Sequence, residues 1–351
     1  MKINENEQQD ILEPACIEVV PFRDRKVCKE KETMQLQVHS YPSTLEEKRT
    51  YAREQTRKFL QSNPGLDIKS LKPTLPSKLS KIDLSKKEMA QIKLDPVIKS
   101  ILCGTIICDG SIAISKGYAN ARIQMRHSTR QTEWFMWKVF YAFPNITEKS
   151  IVFQKLDGYQ ENSPKTSVNR EGICEILGKW KVSSGATIEL TALHNIICKN
   201  GRGKKKMERF WLNHMNEYFL MTIWLDDGGL VGHRQGVIAF YYLSQVELQV
   251  FADYMLAVWD IKCNVVSAPS RATKTNPNPF QVNIVDLDNL EKLLRIVARI
   301  IPVKSMLYKV CLYPIKSSHL QRWTSELKTL VRQEWHAEID QIYSDIAQKK
   351  I

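Results

Sequence analysis

No stretch of this 351-residue sequence stays apolar for the ~20 residues that a bilayer-spanning helix requires; the longest candidates are broken by Asp109 and by Asp226 and Asp227. A soluble protein without a membrane partner is therefore expected. The eight cysteines include no CxxC pair, which removes zinc-ribbon and thioredoxin-like readings. Several sit inside apolar stretches, where they act as small hydrophobes in a reducing compartment. No cluster of His and Cys offers a transition-metal site. The opening segment MKINENEQQDILEPA has neither an apolar core nor Arg/Ser-rich character, so no import signal is read there. Acidic residues are in the minority, 38 against 51 Lys and Arg, and the resulting charge of +13 favours a polyanionic partner, nucleic acid first.

What is present describes a globular chain. Hydrophobic residues at 43% and charged residues at 25% fit neither a disordered segment nor a coiled-coil rod. The length predicts roughly two folded units plus an extension. Residues 1–94 read as that extension, with one helix in STLEEKRTYAREQTRKFLQSNPG, where Ser43 and Glu46 fit a capping box and Pro64-Gly65 stops the helix. A lysine-rich connector from Lys69 to Lys93 follows, as a solvated link or a contact to a DNA backbone.

From Asp95 the chain repeats itself. The first unit, 95–205, opens with an apolar helix ending in an acid and a glycine, PVIKSILCGTIICDGS. The alternating stretch NARIQMRHS comes next, then a capping box at Ser128 and Gln131 that opens the helix QTEWFMWKVFYAF. Ile151 to Phe153 and Thr187 to Thr191 are further strand candidates. The second unit, 206–317, repeats the order: EYFLMTIWLDDGG, the strand GVIAFYYLS, a capping box at Ser244 and Glu247, the helix VELQVFADYMLAVWDI, strands around Val265 and Gln281 to Val285, and the helix DLDNLEKLLRIVARII. Asp109 and Asp227, 118 residues apart, mark equivalent points. Residues 318–351 read as a C-terminal helix packed on the body, from the helical spacing of Leu320, Trp323, Leu327 and Leu330.

The two helix-end acids carry the chemistry. A carboxylate at a helix C-terminus faces the negative end of the dipole and costs ~0.3–1 kcal/mol, while the glycine after it suits a left-handed cap. A stability-driven sequence would place lysine there, yet the acid occurs twice at matching points. Cys103, Gly104, Thr105, Cys108 and Thr222 lighten the two helices enough for close packing, which would bring the acids together. Converging carboxylates repel unless divalent cations neutralise them, and hard oxygen ligands select Mg²⁺.

The segments Leu102-Cys103-Gly104-Thr105-Ile106-Ile107-Cys108-Asp109-Gly110 and Leu220-Met221-Thr222-Ile223-Trp224-Leu225-Asp226-Asp227-Gly228 resemble the two signature helices of single-chain LAGLIDADG homing endonucleases. The resemblance covers about Asp95 to Ser317. It implies an α+β fold of two pseudo-symmetric αββαββα units in one monomer, whose antiparallel sheets form a saddle on double-stranded DNA. It implies metal ligation by Asp109 and Asp227, with the backbone of Gly110 and the carboxylate of Asp226 as further ligand candidates, and Mn²⁺ able to replace Mg²⁺. One basic residue per unit is expected near the scissile phosphate. LYKV after Ile301-Pro302 points to Lys309, and GRGKKKMERFWL points to Lys205, with Lys204 and Lys206 as alternatives because Met207-Glu208 stands where the family has Ile-Pro. The implied activity is site-specific cleavage of a long asymmetric DNA target, of the intron-homing kind, in a protein encoded in a mitochondrion or chloroplast. A maturase that binds intron RNA, or a non-catalytic organellar RNA-binding protein on the same fold, is the alternative.

The residues agree with that reading. In-line phosphodiester hydrolysis needs a cation for the attacking and leaving oxygens and a positive side chain near the developing charge. Arg122, Gln124 and Arg126 project from one side of one strand, and such side chains read guanine and adenine edges in the major groove. Lys155, Lys181, Thr187, Glu189, Thr191, Gln281 and Asn283 are candidates for the same surface, with Lys204 and Lys206 nearby in the basic run.

Overall fold

A computed structural model describes residues 44–64, 94–143, 146, 150–154, 166–168, 174–176, 178–199, 204–232, 234–313 and 316–348. Its first element, α1 (Leu45–Ser62), is capped one residue later than expected, by Thr44 and Glu47 in a reciprocal capping box. This helix packs as part of the first unit. Tyr51 stacks on Trp180 at 5.7 Å and meets the edge of Phe153 at 5.1 Å, and Phe59 stacks on Phe140 at 6.4 Å. The lysine-rich connector lies outside the described residues.

The first unit runs α2 (Pro96–Ile107), β1 (Gly110–Ile114), β2 (Ala121–Ser128), α3 (Thr132–Ala142), β3 (Ile151–Gln154), a small hairpin of β4 (Thr166–Val168) and β5 (Cys174–Ile176), β6 (Lys179–Ser183) and α4 (Ile188–Ile197). A two-residue hairpin, β7 (Cys198–Lys199) with β8 (Lys204–Lys205), and the short α5 (Arg209–Leu212) lead to the second unit. That unit runs α6 (Glu217–Asp227), β9 (Gly228–Val231), β10 (Gln235–Ile238), α7 (Gln245–Trp259), β11 (Cys263–Ser267), β12 (Phe280–Ile284) and α8 (Leu287–Ile300). The two antiparallel sheets have matching orders, β1-β2-β6-β3 and β9-β10-β12-β11. Apart from the inserted hairpin, each unit is αββαββα, the expected architecture.

Each sheet turns one face to the core and leaves the other open. Along β2, Ala121, Ile123, Met125 and His127 are buried while Arg122, Gln124 and Arg126 stay on the open side, as period-two alternation requires. Trp180 and Val182 of β6 and Val282 and Ile284 of β12 fill the same inner layer.

Three local expectations change. Thr187 to Thr191 is not a strand, because Thr187 caps α4 by accepting from the Leu190 N–H and the chain turns helical there. Thr187, Glu189 and Thr191 are buried, and the Thr191 hydroxyl accepts from the Ala121 N–H at 2.9 Å, so none of the three lies on an open sheet face. Ser128 caps a 3-10 turn, Thr129–Gln131, instead of sharing a capping box with Gln131. The C-terminal segment, expected as one helix, holds two among the described residues, α9 (Ser317–Leu330) and α10 (His336–Gln348). They dock on the second unit through Trp323, whose indole N–H donates to the Val310 carbonyl at 3.1 Å, and through Arg295, held between Glu291 and Glu326.

Candidate active site

The two units meet at α2 and α6. Gly104 makes the close crossing possible: a Cβ there would stand 2.7 Å from Thr222 Cβ and 3.3 Å from the Phe219 carbonyl oxygen. At the opposite end of the pair, the Asn216 N–H donates to Ser100 Oγ at 3.2 Å. Nine of the twelve residues of α2 and seven of the eleven of α6 are buried, and their last turns emerge together at one place. The glycines after them serve packing and not a left-handed cap. Gly228 has φ −79°, and its Cβ would fall 2.5 Å from the Trp224 carbonyl oxygen, as that of Gly110 would fall 2.7 Å from the Thr105 carbonyl oxygen.

The acids converge there. Asp227 is pushed up to about 7, first by burial, then by the carboxylates of Asp109 and Asp226, against a hydrogen bond from Cys108 and the charge of Lys205. Burial likewise pushes the Cys108 thiol well up, so it stays a neutral donor. Asp109 keeps 41% of its side chain exposed, whereas that of Asp226 has no exposure at all. Asp226 is instead enclosed by the first unit. Lys138 Nζ lies 2.7 Å from both of its oxygens, and the Trp134 indole N–H donates to Oδ1 at 2.6 Å.

His127 completes this enclosure. Its Nε2 is 2.8 Å from Lys138 Nζ, 3.6 Å from Asp109 Oδ2 and 3.7 Å from Asp226 Oδ1. A lysine ammonium has only protons to give, so Nε2 is the acceptor and Nδ1 carries the proton, donated to Gln131 Oε1 at 2.9 Å. Burial first and Lys138 second hold the imidazole below its usual range, which keeps it neutral.

The two lysines expected near the reacting phosphate both point at helix ends. Lys205, on β8, donates to the Cys108 carbonyl at 2.8 Å and lies 4.7 Å from the Tyr242 ring centroid. Lys309 closes the 3-10 turn Lys304–Lys309 and donates to the Gly228 carbonyl, while its own carbonyl accepts from the Trp224 indole at 3.0 Å. The last carbonyls of a helix lack intrahelical donors and carry partial negative charge, which suits a lysine. Burial lowers both ammonium groups from their usual range, with the nearby acids opposing it. The neighbours in the basic run point elsewhere: Lys204 is exposed and Lys206 pairs with Glu208 at 2.9 Å.

Of the open sheet faces, the first is cationic. Arg126 stands opposite Lys181 and Gln124 opposite Ser183, with Arg122 and Lys179 in line. The second carries neutral groups: Gln281 donates to Asn283 at 2.9 Å, and Asn283 sits opposite Val237 and Asn264. Lys155 lies outside the described residues. Sequence reasoning missed His127, Lys138, Trp134 and Tyr242. The signal for two of them was present, since His127 has the parity of the buried face of β2 and Lys138 interrupts the apolar helix TEWFMWKVFYA.

Residues 99–273 match the LAGLIDADG DNA endonuclease family, a span that runs from the first signature helix past β11. No curated protein matches the chain. Among solved structures, the chain is similar to the homing endonuclease I-WcaI bound to its DNA recognition sequence, at 16% identity over 67% of this chain and 96% of that one, with a TM-score of 0.45. It is also similar to I-SmaMI bound to cleaved DNA, at 9% identity over 71% and 96% with a TM-score of 0.33, and to I-DmoI in complex with DNA and Mn, at 13% over 57% and 97% with a TM-score of 0.31. Likenesses this distant carry no argument by themselves, so the assignment rests on the sequence match and on the paired signature helices. With both of those helices in one polypeptide, the chain belongs to the LAGLIDADG DNA endonuclease family in its two-repeat, single-chain form.

Proposed function

We propose that this chain is a site-specific double-strand DNA endonuclease of the intron-homing type, acting as a monomer with a divalent cation. The observation that carries the reading is Asp227. Its carboxyl is raised by burial and by Asp109 and Asp226, at the tips of two helices, with a lysine on either side. Such a group is unfavourable without a cation and fits one. Asp109 and Asp227 would hold it with the backbone of Gly110, and oxygen donors select Mg²⁺ with Mn²⁺ as substitute. Asp226, a further candidate ligand on sequence grounds, is paired with Lys138 at 2.7 Å. The bound ion would stabilise charge on the attacking and leaving oxygens of the phosphodiester.

The protein's own groups supply the rest. Lys205 and Lys309 place positive charge next to the scissile phosphates, one in each unit. The open faces read bases, the first through Arg122, Gln124 and Arg126 with Lys179 and Lys181 drawing phosphates, the second through Gln281 and Asn283. Two unlike faces suit an asymmetric target of about 20 base pairs, one helical turn per unit.

The reading is tested by incubating the full chain with fragmented host genomic DNA carrying intronless alleles and sequencing the new ends. The expected result is one dominant break position with short 3′ single-stranded ends, lost in EDTA and lost in Asp109→Asn and Asp227→Asn. Splicing assistance that survives both substitutions, without any cleavage, would replace this reading with the maturase.

A further inference from the structure

The carboxylates at the helix tips number three, not two, because the second motif carries Asp226 where the first carries the neutral Cys108. Asp109, His127 and Asp226 each offer a ligand atom within 4.8 Å of the others, a set with the make-up of a cation site. Yet the space between His127 and Asp226 is already taken. Lys138 Nζ reaches both Asp226 oxygens at 2.7 Å and His127 Nε2 at 2.8 Å, and the Trp134 ring lies 4.9 Å beneath it. Lys138 has no exposure, and its helix belongs to the unit opposite Asp226.

We propose that Lys138 is a positioning residue: a tethered cation that occupies the place between Asp226 and His127 and thereby confines the divalent cation to Asp109 and Asp227. The inference rests on the reading of those two acids as the cation ligands. It follows from the charges and the geometry. Lys138 bonds both oxygens of a buried carboxylate and Trp134 bonds Oδ1 again, which engages three of about four acceptor sites, and the same ammonium occupies the ring nitrogen that His127 would otherwise offer. Removing it would expose one oxygen pair and one imidazole nitrogen beside Asp109, the donor set of an additional site.

The test is the number of Mn²⁺ ions bound per full-length chain, counted from the free-ion electron paramagnetic resonance signal in the absence of DNA. Lys138→Ala, which opens the space, is expected to bind one more Mn²⁺ than the wild type. Lys138→Ala combined with Asp226→Asn is expected to return to the wild-type count. An unchanged count in Lys138→Ala would overturn the proposal, as would a count below wild type when Asp226→Asn is added, because Asp226 would then be an ordinary ligand. Lys138→Met with Asp226→Asn removes the buried pair together, so it remains informative where Lys138→Ala does not fold; wild-type Mn²⁺ affinity is expected, and a tenfold loss overturns the proposal. Asp227→Asn in the wild-type background separates the two levels of the argument. Uptake that it leaves untouched refutes the reading of the site itself, and the proposal with it. Uptake that it abolishes, beside an unchanged count in Lys138→Ala, refutes only the role given to Lys138.

Discussion

Replacing Asp227 by asparagine should stabilise the cation-free protein. The ordinary carboxyl value is 3.8 and the folded protein raises it to about 7, chiefly through burial and then through Asp109 and Asp226. A carboxyl that binds its proton more tightly when folded makes stability fall as pH rises between those two values, and leaves it flat above the upper one. At about 1.4 kcal/mol per pH unit, the span amounts to about 4 kcal/mol lost by pH 8. Asparagine does not titrate, so in EDTA Asp227→Asn should exceed the wild type by about that amount at pH 8 and by only about 2 kcal/mol at pH 5. Melting temperatures should differ by on the order of 5 °C at pH 8 for a chain of this size. Mg²⁺ favours the ionised carboxylate, so it should raise the melting temperature of the wild type at pH 8 and do little for the variant. The assay is thermal or urea unfolding at both pH values, with EDTA and with Mg²⁺. An Asp227→Asn protein less stable than wild type at pH 8 in EDTA, or a gap that does not shrink towards pH 5, would refute the convergence of acids from which the argument starts.

Lys205→Met and Lys309→Met should each slow cleavage by about 10²–10³-fold while DNA affinity stays near wild type, as expected for a group that acts on developing charge; single-turnover cleavage beside gel-shift binding checks this. Gly104→Val should destabilise the chain by ~3 kcal/mol or more, since its Cβ would meet Thr222 at 2.7 Å and the Phe219 backbone at 3.3 Å, and denaturant unfolding measures the loss. If about 8 phosphates are neutralised, binding should fall with salt at a log–log slope near −7. Lys179→Ala and Lys181→Ala should each flatten that slope by about 0.9. Gln281→Ala and Asn283→Ala on the neutral sheet should leave the slope unchanged and relax base preference in their own half of the target, as titrations from 50 to 200 mM salt with substituted sites would show.

The sequence made the repeat legible because each unit writes its pattern locally: an apolar helix closed by an acid and a glycine, an alternating strand, and a helix. Ser244 and Glu247 form the reciprocal box their spacing predicts. Where the reading failed, a local pattern was too short to decide. TIELT alternates over five residues like a strand, yet Leu190, Leu193 and Ile197 fall at helical intervals and are buried, so a ten-residue window would have favoured α4. The box expected at Ser128 and Gln131 yields to another demand, since the Gln131 side-chain oxygen Oε1 accepts from the buried His127.

The contacts that make the two units different lay beyond any such window. Asp226 meets Lys138 and Trp134 from 88 and 92 residues away, across the boundary between the repeats. Its two neighbours on the motif do not share its fate, because Leu225 turns into the core and Asp227 towards the other acids. A buried carboxylate stripped of its partner typically costs about 3–5 kcal/mol, so a sequence that gains Asp226 in one motif must supply a cation at a place that can pair with it. That place is on α3 of the other repeat. The sheets can therefore keep matching orders while the helix tips do not match: the first tip carries the neutral Cys108 where the second carries Asp226, and Asp226 takes Lys138 from the neighbouring unit. Symmetry in this protein is a property of the backbone, and the buried charge of Asp226 is met across the boundary between the units, by Lys138.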